Sequence, residues 1–156
     1  MTAHIRCYRY GSKREKGEGL RIGVTRYVPR GVKRSDWQRK GYFDVWMPLL
    51  APSAGLVSKY MDKKLSFAVF ARRYRAEMKK SPSHHLIELL ATMGLFQQIS
   101  LGCFCEDELL CHRSVLAKLL LEESRKRAPG FARLRENLPL EETLRFTSPV
   151  CFGHNE

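Results

Sequence analysis

Three cysteines, a histidine and an arginine fall within eleven residues of this chain: Cys103, Cys105, Cys111, His112 and Arg113. Cys103 and Cys105 are two apart at the end of an apolar run, Gln97–Cys105, which predicts a buried strand and places both thiols on one side. Cys111, His112 and Arg113 open the next helix, or sit in its first turns if it begins at Asp107. A thiol near a helix N-terminus feels the positive end of the macrodipole, and a neighbouring arginine or protonated histidine favours the thiolate further. The acidic trio Glu106, Asp107 and Glu108 opposes this, because nearby negative charge raises a thiol pKa.

Three chemistries are open to such a set. Cys103, Cys105, Cys111 and His112 are four soft ligands for a metal. Their C-x-C-x5-C-H spacing matches no standard zinc finger, however, and adjacent ligands on one helix point about 100° apart. The second chemistry is an anion pocket, with Arg113 and the free helix N–H groups holding a phosphate. The third is structural, with buried cysteines acting as small hydrophobes. A further loop, Arg26-Tyr-Val-Pro-Arg-Gly31, places Arg26 and Arg30 after a strand. There is no Walker A, no G-x-G-x-x-G after a strand, no Cys-x5-Arg loop, no H-E-x-x-H and no G-x-S-x-G. His84-His85 reads as exposed capping at a helix start.

Charge leaves two readings open, an anionic partner or a solvated, solubilising face. Residues 1–80 hold twenty Lys and Arg against six Asp and Glu, while residues 81–156 hold eight against ten. A basic half of this strength attracts polyanions such as nucleic acid, or a nucleotide. With 44% hydrophobic and 28% charged residues the composition is that of a globular chain. No apolar run reaches the roughly 20 residues of a membrane helix. Met1 to Arg9 lacks the apolar core of a secretory signal, so a cytoplasmic address is expected, with the five cysteines reduced.

The elements that position these residues follow from periodicity. His4–Arg9, Leu20–Thr25 and Gln97–Cys105 read as strands, with Tyr42–Trp46 a short strand or an irregular segment. Leu56–Met61 is amphipathic, and Ser66–Lys80 is a helix with Phe67, Phe70, Tyr74 and Met78 on one face and Ser66 as N-cap. Leu86, Leu89, Leu90 and Met93 mark another helix, ended near Gly94. The helix after Cys111 is expected to stop at Arg125-Lys-Arg127 before Pro129-Gly130, with a short helical piece over Phe131–Asn137. Strands alternating with helices predict a small three-layer α/β sandwich with a largely parallel sheet: one domain over residues 1–137, then a tail over 138–156 carrying Cys151 and His154. Ligands bind such sheets at the carboxyl ends of the strands, where Arg26 and Arg30 would face Cys105, Glu106, His112 and Arg113 across one cleft.

In the order of its pieces the chain resembles the domain of unknown function 488 family over roughly residues 4–125. The likeness rests on R-x-x-P-R-G (Arg26 to Gly31), then Ala51-Pro52-Ser53, the helix from Phe70 through Tyr74 to Met78, and C-x-C-x5-C-H-R (Cys103 to Arg113). It implies a small α/β sandwich and a shared cleft at Arg26, Arg30, Cys105, Glu106, Cys111, His112 and Arg113, but no reaction. Some members have C-x-E where this chain has Cys103-Phe-Cys, and others lack the cysteines, which counts against an obligatory structural metal. The tail from Phe131 lies outside the likeness.

The expectation is a protein binding a phosphate-bearing ligand, a nucleotide or nucleic acid, through Arg26, Arg30, Glu106, His112 and Arg113. No cofactor, metal or membrane partner is expected. One alternative is a cysteine-dependent enzyme with Cys105 or Cys111 as nucleophile and His112 as acid/base. The other is a metal or redox module.

Overall fold

The computed structural model describes residues 2–136. Four strands, β1 (Ile5–Arg9), β2 (Leu20–Gly23), β3 (Val45–Trp46) and β4 (Ile99–Cys103), form one all-parallel sheet in the order β1-β4-β2-β3. β4 is therefore central and β1 lies at an edge. Its neighbours are in register, with Ile5 and Leu20 both opposite Ile99, so three carboxyl ends open on one side.

The pleat sorts β4 between two layers. Ile99 and Leu101 face the helices, while Ser100 donates from Oγ to the Glu18 carbonyl at 2.8 Å. At Gly102 a Cβ would lie 2.4 Å from the Tyr8 ring, so only glycine fits. The helical layer comprises α1 (Ala54–Met61), α2 (Phe67–Met78), α3 (Ser83–Met93) and α4 (His112–Glu136). Tyr8, Tyr10 and Phe43, with Val28, Trp37, Tyr42 and Trp46 against them, make a second core. The three-layer parallel α/β architecture expected from the sequence is thus present.

Helix limits follow local chemistry. Ser66 caps α2 by accepting from the Val69 N–H, and Ser53 caps α1 by accepting from Leu56. Phe70, Tyr74 and Met78 are each at most 3% exposed. Burying such side chains contributes about 1.5–3 kcal/mol apiece, well above helix propensities of tenths, so packing seats α2. Leu89, expected on the apolar stripe of α3, is instead exposed.

Several boundaries depart from expectation, among them that of β2, which ends at Gly23 rather than Thr25. The strand expected over Gln97–Cys105 ends at Cys103. The last helix does not stop at Arg127 but continues through Pro129 to Glu136. Proline's fixed φ suits a helix, but in its interior it removes one hydrogen bond and its ring crowds the carbonyl of Arg125, at a cost of about 3 kcal/mol. The Phe131 ring, packed edge-on against Phe96 at 6.2 Å, anchors the turn beyond it. The tail over 138–156, with Cys151 and His154, lies outside the described residues.

Candidate functional site: a thiol–imidazole cluster beneath an apolar cavity

The carboxyl ends of β2 and β4 open into a cavity of about 430 Å3. Arg26, beyond β2, and Cys103, Cys105, Cys111 and His112, at and beyond β4, all line it. The remaining wall is mainly apolar, with Val57 and Tyr60 of α1, Phe70 of α2 and Leu110. Tyr27, Met61, Phe104 and Leu110 on the same wall are exposed, so the rim is greasy as well.

The turn between β4 and α4 builds the cluster. Asp107 Oδ1 accepts from the Leu109 N–H at 2.8 Å, and α4 begins only at His112. Cys111 therefore precedes the helix. Cys103 donates its S–H to Cys105 Sγ at 3.6 Å. Cys111 Sγ lies 3.7 Å from His112 Nδ1, and Cys103 Sγ, Cys111 Sγ and the imidazole nitrogen all sit within 4.8 Å of one another. His112 Nε2 is 2.8 Å from the Val24 carbonyl. A carbonyl only accepts, so Nε2 carries the hydrogen and Nδ1 turns a lone pair toward Cys111. Burial lowers the His112 pKa and keeps the ring neutral.

The three thiols are not equivalent. Cys103 and Cys111 are buried, while Cys105 is exposed to the cavity. Hydrogen bonds from Cys103 and then Cys111 hold the Cys105 thiol well below the ordinary range, outweighing desolvation, with help from the Arg113 guanidinium. Donating those bonds pushes Cys103 and Cys111 upward. Cys7, half-buried on β1, is pushed up to about 12 by desolvation, with Glu108 adding to the rise. Among the described residues, negative charge in this cluster therefore settles on Cys105.

The arginines are placed differently from one another. Arg113 is 2% exposed, and its Nη1 donates to the Cys105 carbonyl at 2.9 Å and to that of Cys103 at 3.3 Å, with Nε unpaired. Arg26 spends Nε and Nη2 on the Pro52 carbonyl, at 3.0 and 2.8 Å, and Nη2 also reaches that of Ala51. Arg30 is exposed and stands outside the cavity wall, and Glu106 pairs with Arg9 at 2.9 Å. The structure thus gathers Arg26, Cys103, Cys105, Cys111 and His112 at one wall, with Arg113 behind it. It leaves Arg30 and Glu106 on the surface. Sequence reasoning missed Val57, Tyr60, Phe70 and Leu110 as wall residues; the exposed Leu109-Leu110 pair after an acidic run was the available signal.

These features define a class: a small parallel α/β protein with a thiol–imidazole cluster at the carboxyl edge of its sheet. The chain belongs to the DUF488 family, since the model described as "Active DUF488-N3 subclade" matches residues 5–124. It is similar to "Uncharacterized protein YeaO" of Escherichia coli (strain K12), with 28% identity over 117 residues, covering 75% of this chain and 96% of that one. No solved structure is a significant match. Among the described residues, no helix is long and apolar enough to cross a membrane.

Proposed function

We propose that this protein takes a small, neutral, largely apolar molecule into the cavity and presents the Cys105 thiolate to it as a nucleophile. One observation carries the reading: the exposed thiol of the cluster, Cys105, accepts the Cys103 S–H and opens onto an apolar wall. Neutral His112, its Nδ1 facing Cys111, is placed to take up or return a proton through that thiol. A phosphate in this cavity has less support, because Arg113 and most of Arg26 already serve backbone carbonyls.

Labelling tests the cavity. In reduced, metal-free protein carrying Cys151→Ser, limiting N-phenylmaleimide should modify Cys105 ahead of Cys7, Cys103 and Cys111. Val57→Trp, which fills the cavity from α1, should slow that reagent about tenfold and the smaller iodoacetamide much less. Equal slowing of both reagents, or first labelling at Cys7, removes the apolar-ligand reading.

A polyanion partner is a second reading, carried by a separate surface. Arg30, Lys33, Arg34, Arg39 and Lys40 are all exposed within one short segment, against Asp36, which pairs with Arg39 and Lys40. Such a patch should give heparin retention that falls steeply with salt. Elution indifferent to salt excludes it.

A further inference from the structure

We propose that Cys103, Cys105, Cys111 and His112 form a binding site for one thiophilic divalent cation, with zinc as the type case. The cation would be held by three thiolates and His112 Nδ1. The inference rests on the same cluster as the proposed function and goes beyond it, because the cation takes the Cys105 lone pair that would otherwise attack a ligand.

The spacing of the donor atoms supports it. Around a tetrahedral zinc, with Zn–S of about 2.3 Å and Zn–N of about 2.0 Å, two sulfurs stand ~3.8 Å apart and a sulfur and nitrogen ~3.5 Å apart. Cys103 Sγ, Cys111 Sγ and the His112 nitrogen already converge within 4.8 Å of one another, with Cys111 3.7 Å from His112 Nδ1, while Cys105 lies outside that group, 3.6 Å from Cys103, and would complete the set by turning its exposed side chain inward. Neighbouring ligands on one helix would diverge, but Cys111 lies before α4 and only His112 lies on it. His112 is also already oriented, since its Nε2–H on the Val24 carbonyl is the outer anchoring bond that metal-bound histidines use.

Charge points the same way. Three thiolates and a divalent cation carry one net negative charge, and the buried Arg113, without a carboxylate partner among the described residues, carries one positive. The donor set of sulfur and imidazole selects zinc, cobalt or cadmium over magnesium or calcium, which want oxygen. Binding balances as follows: each thiol that joins the cation gives its proton to solvent, and the donor–metal bonds replace the thiol hydrogen bonds.

The test uses the full chain, reduced and stripped with a chelator, titrated first with Co2+ and then with Zn2+. Expected are one cation per chain and a thiolate-to-cobalt charge-transfer band, with zinc displacing cobalt. Cys105→Ser, at an exposed position that should leave the fold intact by circular dichroism, should weaken binding about 100-fold. Cys7→Ser should leave it unchanged, and zinc should slow N-phenylmaleimide labelling of Cys105 at least tenfold, reversibly with chelator. Folded protein without the charge-transfer band, or Cys105→Ser binding as tightly as the parent, overturns the site. Selective Cys105 labelling without metal binding would defeat this inference alone. Metal binding without selective labelling of the stripped protein would defeat the proposed function alone.

Discussion

Exchanging Arg113 for methionine should slow alkylation of Cys105 at the acid end of its pH profile, about pH 5, while leaving the chain folded. The guanidinium is buried, and among the described residues no carboxylate stands within ion-pair distance of it. A charge sealed from water favours an opposite one beside it, and the Cys105 thiolate is the group placed to supply it. Below a thiol's pKa, each unit of upward shift removes tenfold in thiolate, about 1.36 kcal/mol. Methionine keeps much of the volume but strands the Cys105 carbonyl, at about 1–3 kcal/mol, while the Cys103 carbonyl keeps the Tyr10 N–H at 2.9 Å. Removing an unpaired buried charge offsets part of that cost, since apolar groups of similar volume often replace buried ions without net loss. Reactivity should therefore fall further than stability. An unchanged rate in folded Arg113→Met protein would show that the thiolate does not depend on the guanidinium.

Glu18→Ala should destabilise the fold by about 3–5 kcal/mol, the typical result of leaving one member of a buried ion pair alone. Arg21 is 1% exposed, and its Nε and Nη2 donate to the two Glu18 carboxylate oxygens at 2.7 and 2.9 Å. It also donates to the Ser12, Lys13 and Gly41 carbonyls and lies 4.3 Å over the Tyr8 ring. The double change Glu18→Ala with Arg21→Met should recover much of the loss, because the stranded cation is gone. Additive losses would mean that the pair is not coupled. Burial alone would raise the Glu18 pKa, but the Arg21 bonds and the Glu15 N–H bring it below the usual carboxylate range. A depressed carboxyl stabilises the fold fully above its unfolded pKa, and that contribution drains away as pH falls through the lower, folded value. Urea unfolding should therefore show a loss below about pH 4.5 that Glu18→Ala no longer shows.

How far the sequence led depends on which interactions are local. The α2 stripe was legible because Phe70, Tyr74 and Met78 repeat at helical spacing, and Ser66 caps a helix whatever surrounds it. Two general rules for α/β sheets predicted that Arg26 and the Cys103–Arg113 segment would share one edge, and β2 and β4 are indeed parallel neighbours. The direction of each arginine was not legible. Whether Arg113 points into the cavity or behind it depends on the carbonyls left free where β4 ends at Cys103. Glu106 meets Arg9 only because β1 lies beside β4, a pairing of residues far apart in sequence. Likewise Val57 and Tyr60 come to the thiols through the packing of α1 on α2, about fifty residues upstream, and no periodicity encodes that.

The pH profile of Cys105 alkylation by iodoacetamide tests the central claim most directly. It would be followed by peptide mass spectrometry in reduced, metal-free Cys151→Ser protein from about pH 5 to about pH 9. An ordinary thiol, with a pKa near 8.5, gains about tenfold in rate per unit until it ionises. A Cys105 thiolate held by Cys103, Cys111 and Arg113 predicts a nearly flat rate across neutrality. It also predicts a lead of roughly tenfold over Cys7 at about pH 6, since the larger thiolate fraction outweighs the lower nucleophilicity of an acidic thiol. A Cys105 rate that climbs tenfold per unit to about pH 8.5, in step with an unperturbed thiol, contradicts it.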